Sequence, residues 1–255
     1  MRARSLTYMA LQGLPDVRPG DDLPTLILEA LRDEGSPAVE QGDIFVVSSK
    51  VISKAEDRFV NLASVQVSPE ARTLAQQTGR DPRILQLVLE ESNAVLRATP
   101  AAVIVEHRLG FVCANAGIDH SNVRPGENWV LLLPADPSAS AARLRQELER
   151  ALGLRLGVMV IDSHGRAWRL GTVGITIGLS GLPGLVDLRG RPDLYGYHLQ
   201  ITEVGAADEL AAGASLLMGQ ANEATPVVIA RGFPYDLREG SLSELLRPRE
   251  QDLFR

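Results

Sequence analysis

Residues 42–58, GDIFVVSSKVISKAEDR, set the expected fold class. Ile44, Phe45, Val46 and Val47 form a continuous apolar run of the buried-strand type. The run gives way at once to Ser48, Ser49, Lys50, Ser53 and Lys54. Polar residues massed where a buried strand ends mark the usual place of ligand binding in α/β proteins. Hydroxyls beside two ammonium groups suit phosphate oxygens. A strand end followed by a solvated helix start is the plain alternative. Composition sharpens the motif: of 26 basic residues only Lys50 and Lys54 are lysines. Lysine is a compact, mobile point charge that the planar fork of arginine does not reproduce.

The same pattern recurs twice. Residues 101–105 and 110–113 read as strand, and the second run opens into the loop of GFVCANAGIDHSNV (residues 110–123), crowded with Asn115, Asp119, Ser121 and Asn122. Gly117 marks the turn, where a residue without Cβ takes positive φ at little cost. An Asp at such a tip, flanked by amides, is placed to hold a divalent cation against a phosphate; a tight turn whose side chains satisfy its own backbone is the alternative. Residues 156–161, LGVMVI, form another buried strand, expected to end on Asp162, Ser163 and His164. Residues 129–133, WVLLL, and 226–230 are further strands.

Helical spacing of apolar residues covers 23–32, 68–78, 82–96, 138–152 and 206–218. Ser68 and Asp81, each before a proline, are expected N-caps. Glu90, Glu91 and Arg97 are expected as solvated helix charges. Glycines at 165, 171, 174, 178, 181 and 184 fit neither a dinucleotide fingerprint nor a P-loop, and allow close backbone packing. Thr172 and Thr176 are candidates for presenting hydroxyls to the site. Residues 185–197, with Asp187, Arg189, Arg191 and Asp193, suit a polar substrate or a subunit contact.

At 255 residues the chain can bury a sizeable core, as one large domain or two closely joined lobes. A net charge of −6, no basic tract and few aromatics argue against nucleic acid as a partner. No stretch approaches a membrane span and no secretory h-region is evident, so the chain reads as cytoplasmic. The lone Cys113 rules out an internal disulfide framework and a cysteine-based zinc site. No Ser/His/Asp arrangement is evident. The inventory suits metal-bridged phosphate chemistry with oxygen ligands, hence Mg²⁺ or Mn²⁺.

Four ordered motifs then carry a resemblance: GDIFVVSSKVISKAEDR, GFVCANAGIDHSNV, DSHGRAWRLGTVGITIGLSG (residues 162–181) and MGQANEATPVVIARG (residues 218–232). Together they resemble the coenzyme F420-0:L-glutamate ligase (F420:γ-glutamyl ligase) family over about residues 11–232. The resemblance implies an α+β fold of buried mixed sheets and packed helices, assembled as an intertwined homodimer. It implies a single module over residues 1–255, with no fused nitroreductase-like domain. The implied activity is GTP-dependent joining of L-glutamate to F420-0 through an acyl phosphate, with further γ-linked glutamates. The implied ions are two divalent cations, with K⁺ as a further candidate. Leu11, Gln12, Gly13, Leu14, Ser48, Ser49, Lys54 and Asn122 match GTP-contacting positions. Asp119 and Asp162 match the ligands of one cation, and Ser163 and Gln220 those of the second. Met218, Gly219, Gln220, Ala221, Asn222, Glu223, Ala224 and Thr225 match the segment that wraps the nucleotide. Asp119, Asp162 and Lys54 are thereby the expected catalytic groups. A metal-dependent phosphotransferase or hydrolase and a non-catalytic nucleotide- or F420-binding protein are the alternatives.

Overall fold

The computed structural model describes residues 5–123 and 128–252; of residues 231–255, which read in the sequence as a polar tail, the last three lie outside them. Strand β1 (Thr7–Ala10) leads through a loop to helix α1 (Leu23–Ala30), and β2 (Ile44–Ser48) runs directly into α2 (Ser49–Ala55). Next come β3 (Phe59–Asn61), α3 (Pro69–Thr78), α4 (Pro82–Glu90), β4 (Ser92–Ala98), β5 (Val103–His107), β6 (Val112–Ala114) and β7 (Trp129–Leu131). Helix α5 (Pro137–Leu152) precedes the long hairpin of β8 (Gly157–Arg166) and β9 (Arg169–Ser180). Two short strands, β10 (Val186–Asp187) and β11 (Glu203–Val204), lead to α6 (Ala206–Met218) and β12 (Val227–Arg231).

Five strands form the main sheet in the order β1-β12-β2-β8-β9, in which only β2 and β8 run parallel. Its central strands carry continuous buried apolar runs, at residues 44–47, 158–161 and 227–230, because both faces are covered there. Phe45, Val47, Val158, Val160 and Ile229 enter one core with α1 and α5. Their alternate neighbours Ile44, Val46, Met159, Ile161 and Val228 enter a second core beneath α6. This period-2 division explains why the run at 44–47 shows no polar alternation. A three-stranded antiparallel sheet, β4-β5-β6, and the pair β3–β7 build a second lobe with α3 and α4. The first core continues into that lobe through Leu85, Val88, Val105 and Phe111. The molecule is thus α+β, as expected; of the sheets described only the main one is mixed, and the smaller ones are antiparallel.

The helix starts behave as their residues dictate. Ser68 Oγ accepts from Ala71 N at 3.1 Å, Asp81 Oδ1 from Arg83 N at 2.8 Å and Asp136 Oδ1 from Ala139 N at 2.9 Å, each before a proline at the first turn.

Three expectations need correction. The helical reading of 82–96 ends at Glu90, and Val95 and Leu96 lie on β4. Apolar residues there had suggested helix, but the antiparallel partner β5 captures the segment, with two bulges in the ladder. A partner distant in sequence overrides local spacing. Glu91 is not a solvated charge: its carboxylate takes Arg58 Nη2 at 3.0 Å and Arg108 Nε at 2.9 Å, with His107 Nε2 3.7 Å away. Burial lowers the His107 pKa to about 4, against the pull of Glu91, so its ring is neutral at pH 7. Finally, β8 does not stop before Asp162 but continues to Arg166, because β9 pairs with it through that cluster. The polar residues therefore sit on a strand rather than in a loop. Of the two threonines, Thr176 faces α6, where its N–H donates to Asp208 Oδ1 at 2.9 Å, and Thr172 is exposed.

Candidate functional site

The two parallel strands, β2 and β8, point their carboxyl ends the same way, with Ser48 paired to Ile161. Antiparallel β12 brings the α6–β12 loop to that edge, where Ser48 N donates to Pro226 O at 2.9 Å. The second lobe delivers Asp119, whose backbone exchanges two 2.9 Å hydrogen bonds with Leu131. Between these parts lies a cavity of about 640 Å³. Its walls include Leu14, Asp16, Ser48, Ser49, Lys50, Lys54, Asp119, Ser121, Asn122, Asp162, Ser163, His164 and the whole of residues 218–225.

The structure gathers most of the residues singled out in the sequence around this one cavity. Leu11 lies instead in the core, and exposed Gln12 and Gly13 do not line the cavity. The turn before Asp119 is more contorted than one glycine suggests, since Asn115, Ala116 and Gly117 all have positive φ. A Cβ on Gly117 would meet Leu133 Cδ1 at 2.6 Å, and the residue would have to take a positive φ, both of which favour glycine.

The two carboxylates differ in their surroundings. Asp162 Oδ1 accepts from Ser49 Oγ at 2.8 Å. Its Oδ2 lies 2.9 Å from His164 Nε2. Burial acts to raise the Asp162 pKa, but the His164 ring and the Ser49 hydroxyl outweigh it and hold the carboxyl below its ordinary value. Burial raises the Asp119 pKa despite Lys50, and the charge of Asp162 adds to the rise. The two acids therefore feel one another across the cavity. Nearby, burial and then Asp162 push the Cys113 thiol up to about 12, which excludes it as a nucleophile.

Both lysines are engaged. Lys54 Nζ contacts Asp16 Oδ1 at 2.8 Å, and Lys50 Nζ lies 3.3 Å from Asp119 Oδ2 and 3.0 Å from the Ser121 carbonyl. The family resemblance had selected Lys54 but passed over Lys50, which only the lysine count and the phosphate reading of the motif pointed to. Nothing local ties Asp16 to a lysine 38 positions later. Asn122 Nδ2 donates to Ala221 O at 3.0 Å, joining the second lobe to the α6–β12 loop.

Among the described residues no group of three or more His, Cys, Asp or Glu side chains is arranged to hold a metal. Asp119 and Asp162 offer two carboxylates, Ser163 a hydroxyl and Gln220 a carboxamide, all on one cavity. A sparse oxygen set of this kind fits Mg²⁺ or Mn²⁺, which keep waters and complete their shells with substrate phosphates.

A sequence model of F420-0:gamma-glutamyl ligases matches residues 13–232, a span that contains every residue lining the cavity. The chain belongs to the F420-0:gamma-glutamyl ligase family. It is 44% identical over 252 residues to the coenzyme F420:L-glutamate ligase of Methanothermobacter thermautotrophicus, covering 98% of this chain and 99% of that one. The corresponding protein of Methanopyrus kandleri is 45% identical over 243 residues, covering 94% and 93%. That of Archaeoglobus fulgidus is 43% identical over 245 residues, covering 96% and 94%. Membership extends along nearly the whole chain, so both lobes belong to the family unit. Among the described residues no helix is long and apolar enough to cross a membrane.

Proposed function

We propose that this protein joins L-glutamate to coenzyme F420-0 at the expense of GTP, in the cytoplasm, adding further glutamates through γ-linkages. The observation that carries the reading is the meeting of Asp119, Asp162, Lys50 and Lys54 in one cavity of a chain from this ligase family. In the proposed reaction a carboxylate oxygen of F420-0 attacks the γ-phosphorus of GTP and GDP leaves. The amine of L-glutamate then attacks the acyl carbon, loses a proton and releases phosphate. Every reactant is anionic, so charge neutralisation and positioning supply most of the rate.

Residues 218–225 and Asn122 wrap the nucleotide in this reading, and Lys54 exchanges Asp16 for a phosphate oxygen. Asp119 and Asp162 would hold one divalent ion, Ser163 and Gln220 a second, and K⁺ is a further candidate. Bound there, Mg²⁺ or Mn²⁺ would offset the repulsion between phosphates and acceptor. Ser49, bonded to Asp162, keeps that carboxylate oriented.

The test is incubation with F420-0, L-glutamate, GTP and Mn²⁺, followed by mass spectrometry. Increments of whole glutamyl units, lost when GTP or metal is withheld, are expected. Phosphate release at full rate without glutamate would replace the ligase with a phosphotransferase or hydrolase.

The homodimer belongs to the same reading. Leu170 on β9, and Leu194, Tyr195 and Ile201 in the 185–205 segment, are 86–99% exposed. Apolar side chains left this open on the tip of one hairpin and on one arm suit a self-contact. Beside that arm lies a second hollow of about 460 Å³, lined by Leu185, Asp187, Arg191, Tyr235 and Arg238. Light scattering after gel filtration is expected to give twice the chain mass, and a single-chain mass would remove the dimer.

A further inference from the structure

Lys50 is the second residue of α2, directly after Ser49. About three-quarters of its side chain is shielded, and its ammonium reaches across to the other lobe. There it lies 3.3 Å from Asp119 Oδ2 and 3.0 Å from the Ser121 carbonyl. Adjacent residues of one turn thus serve both acids: Ser49 holds Asp162 and Lys50 holds Asp119. Lys54, one turn further on, serves Asp16 instead.

A carboxylate in a partly desolvated cleft needs a nearby positive charge. Lys50 supplies it in the ligand-free protein, at the carboxylate that the ligase reading gives to a divalent ion. An ammonium and a divalent ion cannot share that oxygen without strong like-charge repulsion. The lysine stem is flexible and its charge compact, so the ammonium can swing away while α2 stays in place.

We propose that Lys50 is an internal counter-cation for Asp119, which yields the carboxylate to a divalent ion as nucleotide enters and then pairs with a phosphate oxygen of that nucleotide. The inference rests on the ligase reading of the cavity and adds an order to it. Without nucleotide a cation must displace the ammonium. With nucleotide the ammonium has somewhere better to go. Cation and nucleotide binding are therefore positively coupled, each to the same degree by the other.

The experiment measures Mn²⁺ binding to the whole protein by electron paramagnetic resonance without nucleotide. It also measures binding of a fluorescent GDP analogue at saturating Mn²⁺. Lys50→Met is expected to bind Mn²⁺ about tenfold more tightly than the unsubstituted protein, and the analogue about tenfold more weakly. Lys50→Arg, which restores a cation beside Asp119, is expected to return the Mn²⁺ affinity to its original value; thermal melting confirms that both variants fold. Unchanged or weaker Mn²⁺ binding by Lys50→Met would overturn the counter-cation. Tighter Mn²⁺ with unaltered analogue binding would overturn the transfer to phosphate. If the unsubstituted protein bound neither probe, the ligase reading itself would fall; if it bound both and Lys50→Met matched it, only this inference would.

Discussion

Asp119→Ala is expected to lower kcat/KM for glutamate ligation by about a thousandfold or more, the scale on which losing one preorganised charge-stabilising group acts. The melting temperature should move little. The fold uses Asp119 through its backbone, by the paired hydrogen bonds to Leu131, and alanine retains both. The carboxylate itself is a liability to the folded state, since burial raises its pKa and Asp162 repels it. Its removal leaves Lys50 bonded to the Ser121 carbonyl, so no cation is stranded. Activity and stability should therefore separate, which is the mark of a group kept for chemistry. Asp119→Asn, which preserves shape but not charge, should be nearly as inactive. Ligation above a tenth of the original rate in either variant would remove the role assigned to this carboxylate. A melting temperature that fell together with the activity would relocate the effect to the fold.

The contrast between Asp119 and Lys50 shows how far the sequence could be read. Strands β2 and β8 were legible because burial on both faces forces uninterrupted apolar runs, and α3 and α4 because Ser68, Asp81 and the following prolines announce helix starts. The polar residues at the ends of those runs were legible as a site for the same reason. What local pattern cannot carry is which distant partner each group meets. Lys50 finds the carbonyl of Ser121, 71 positions later, and Ser49 finds Asp162 at 113. Residues 92–96 look helical until β5 is present to pair with them, and Glu91 looks solvated until Arg58 and Arg108 fold over it. The divided loyalty of the two lysines, one to Asp16 and one to Asp119, was invisible on the same grounds.

Gly178→Ala is expected to destabilise the protein by about 3 kcal/mol or more, at the upper end of overpacking costs, because backbone rather than a movable side chain stands in the way. A Cβ at this position of β9 would lie 2.4 Å from the Pro137 carbonyl carbon and 2.6 Å from Ser138 N, at the start of α5. Gly174, four residues earlier, faces the opposite layer, where a Cβ would meet Ala211 O on α6 at 2.6 Å. Residues four apart on a regular strand share a face. These do not, because Val160 pairs with Gly178 while Ile161 pairs with Thr176, leaving Ile177 as the extra residue of a bulge. The glycine-rich stretch is thus a contact surface for two helices on two faces, and the bulge lets one strand serve both. Gly165→Ala is the matched control, since a Cβ there meets nothing within 4 Å and the backbone needs no positive φ. Its unfolding free energy from urea melts should stay within about 0.5 kcal/mol of the original, leaving the midpoint nearly unchanged. Equal midpoints for Gly178→Ala and the control would show that α5 does not press on β9 as closely as these distances state. With the predicted difference, a drop in ligation should accompany the loss of stability, because β8 carries Asp162 and takes its place in the sheet from β9.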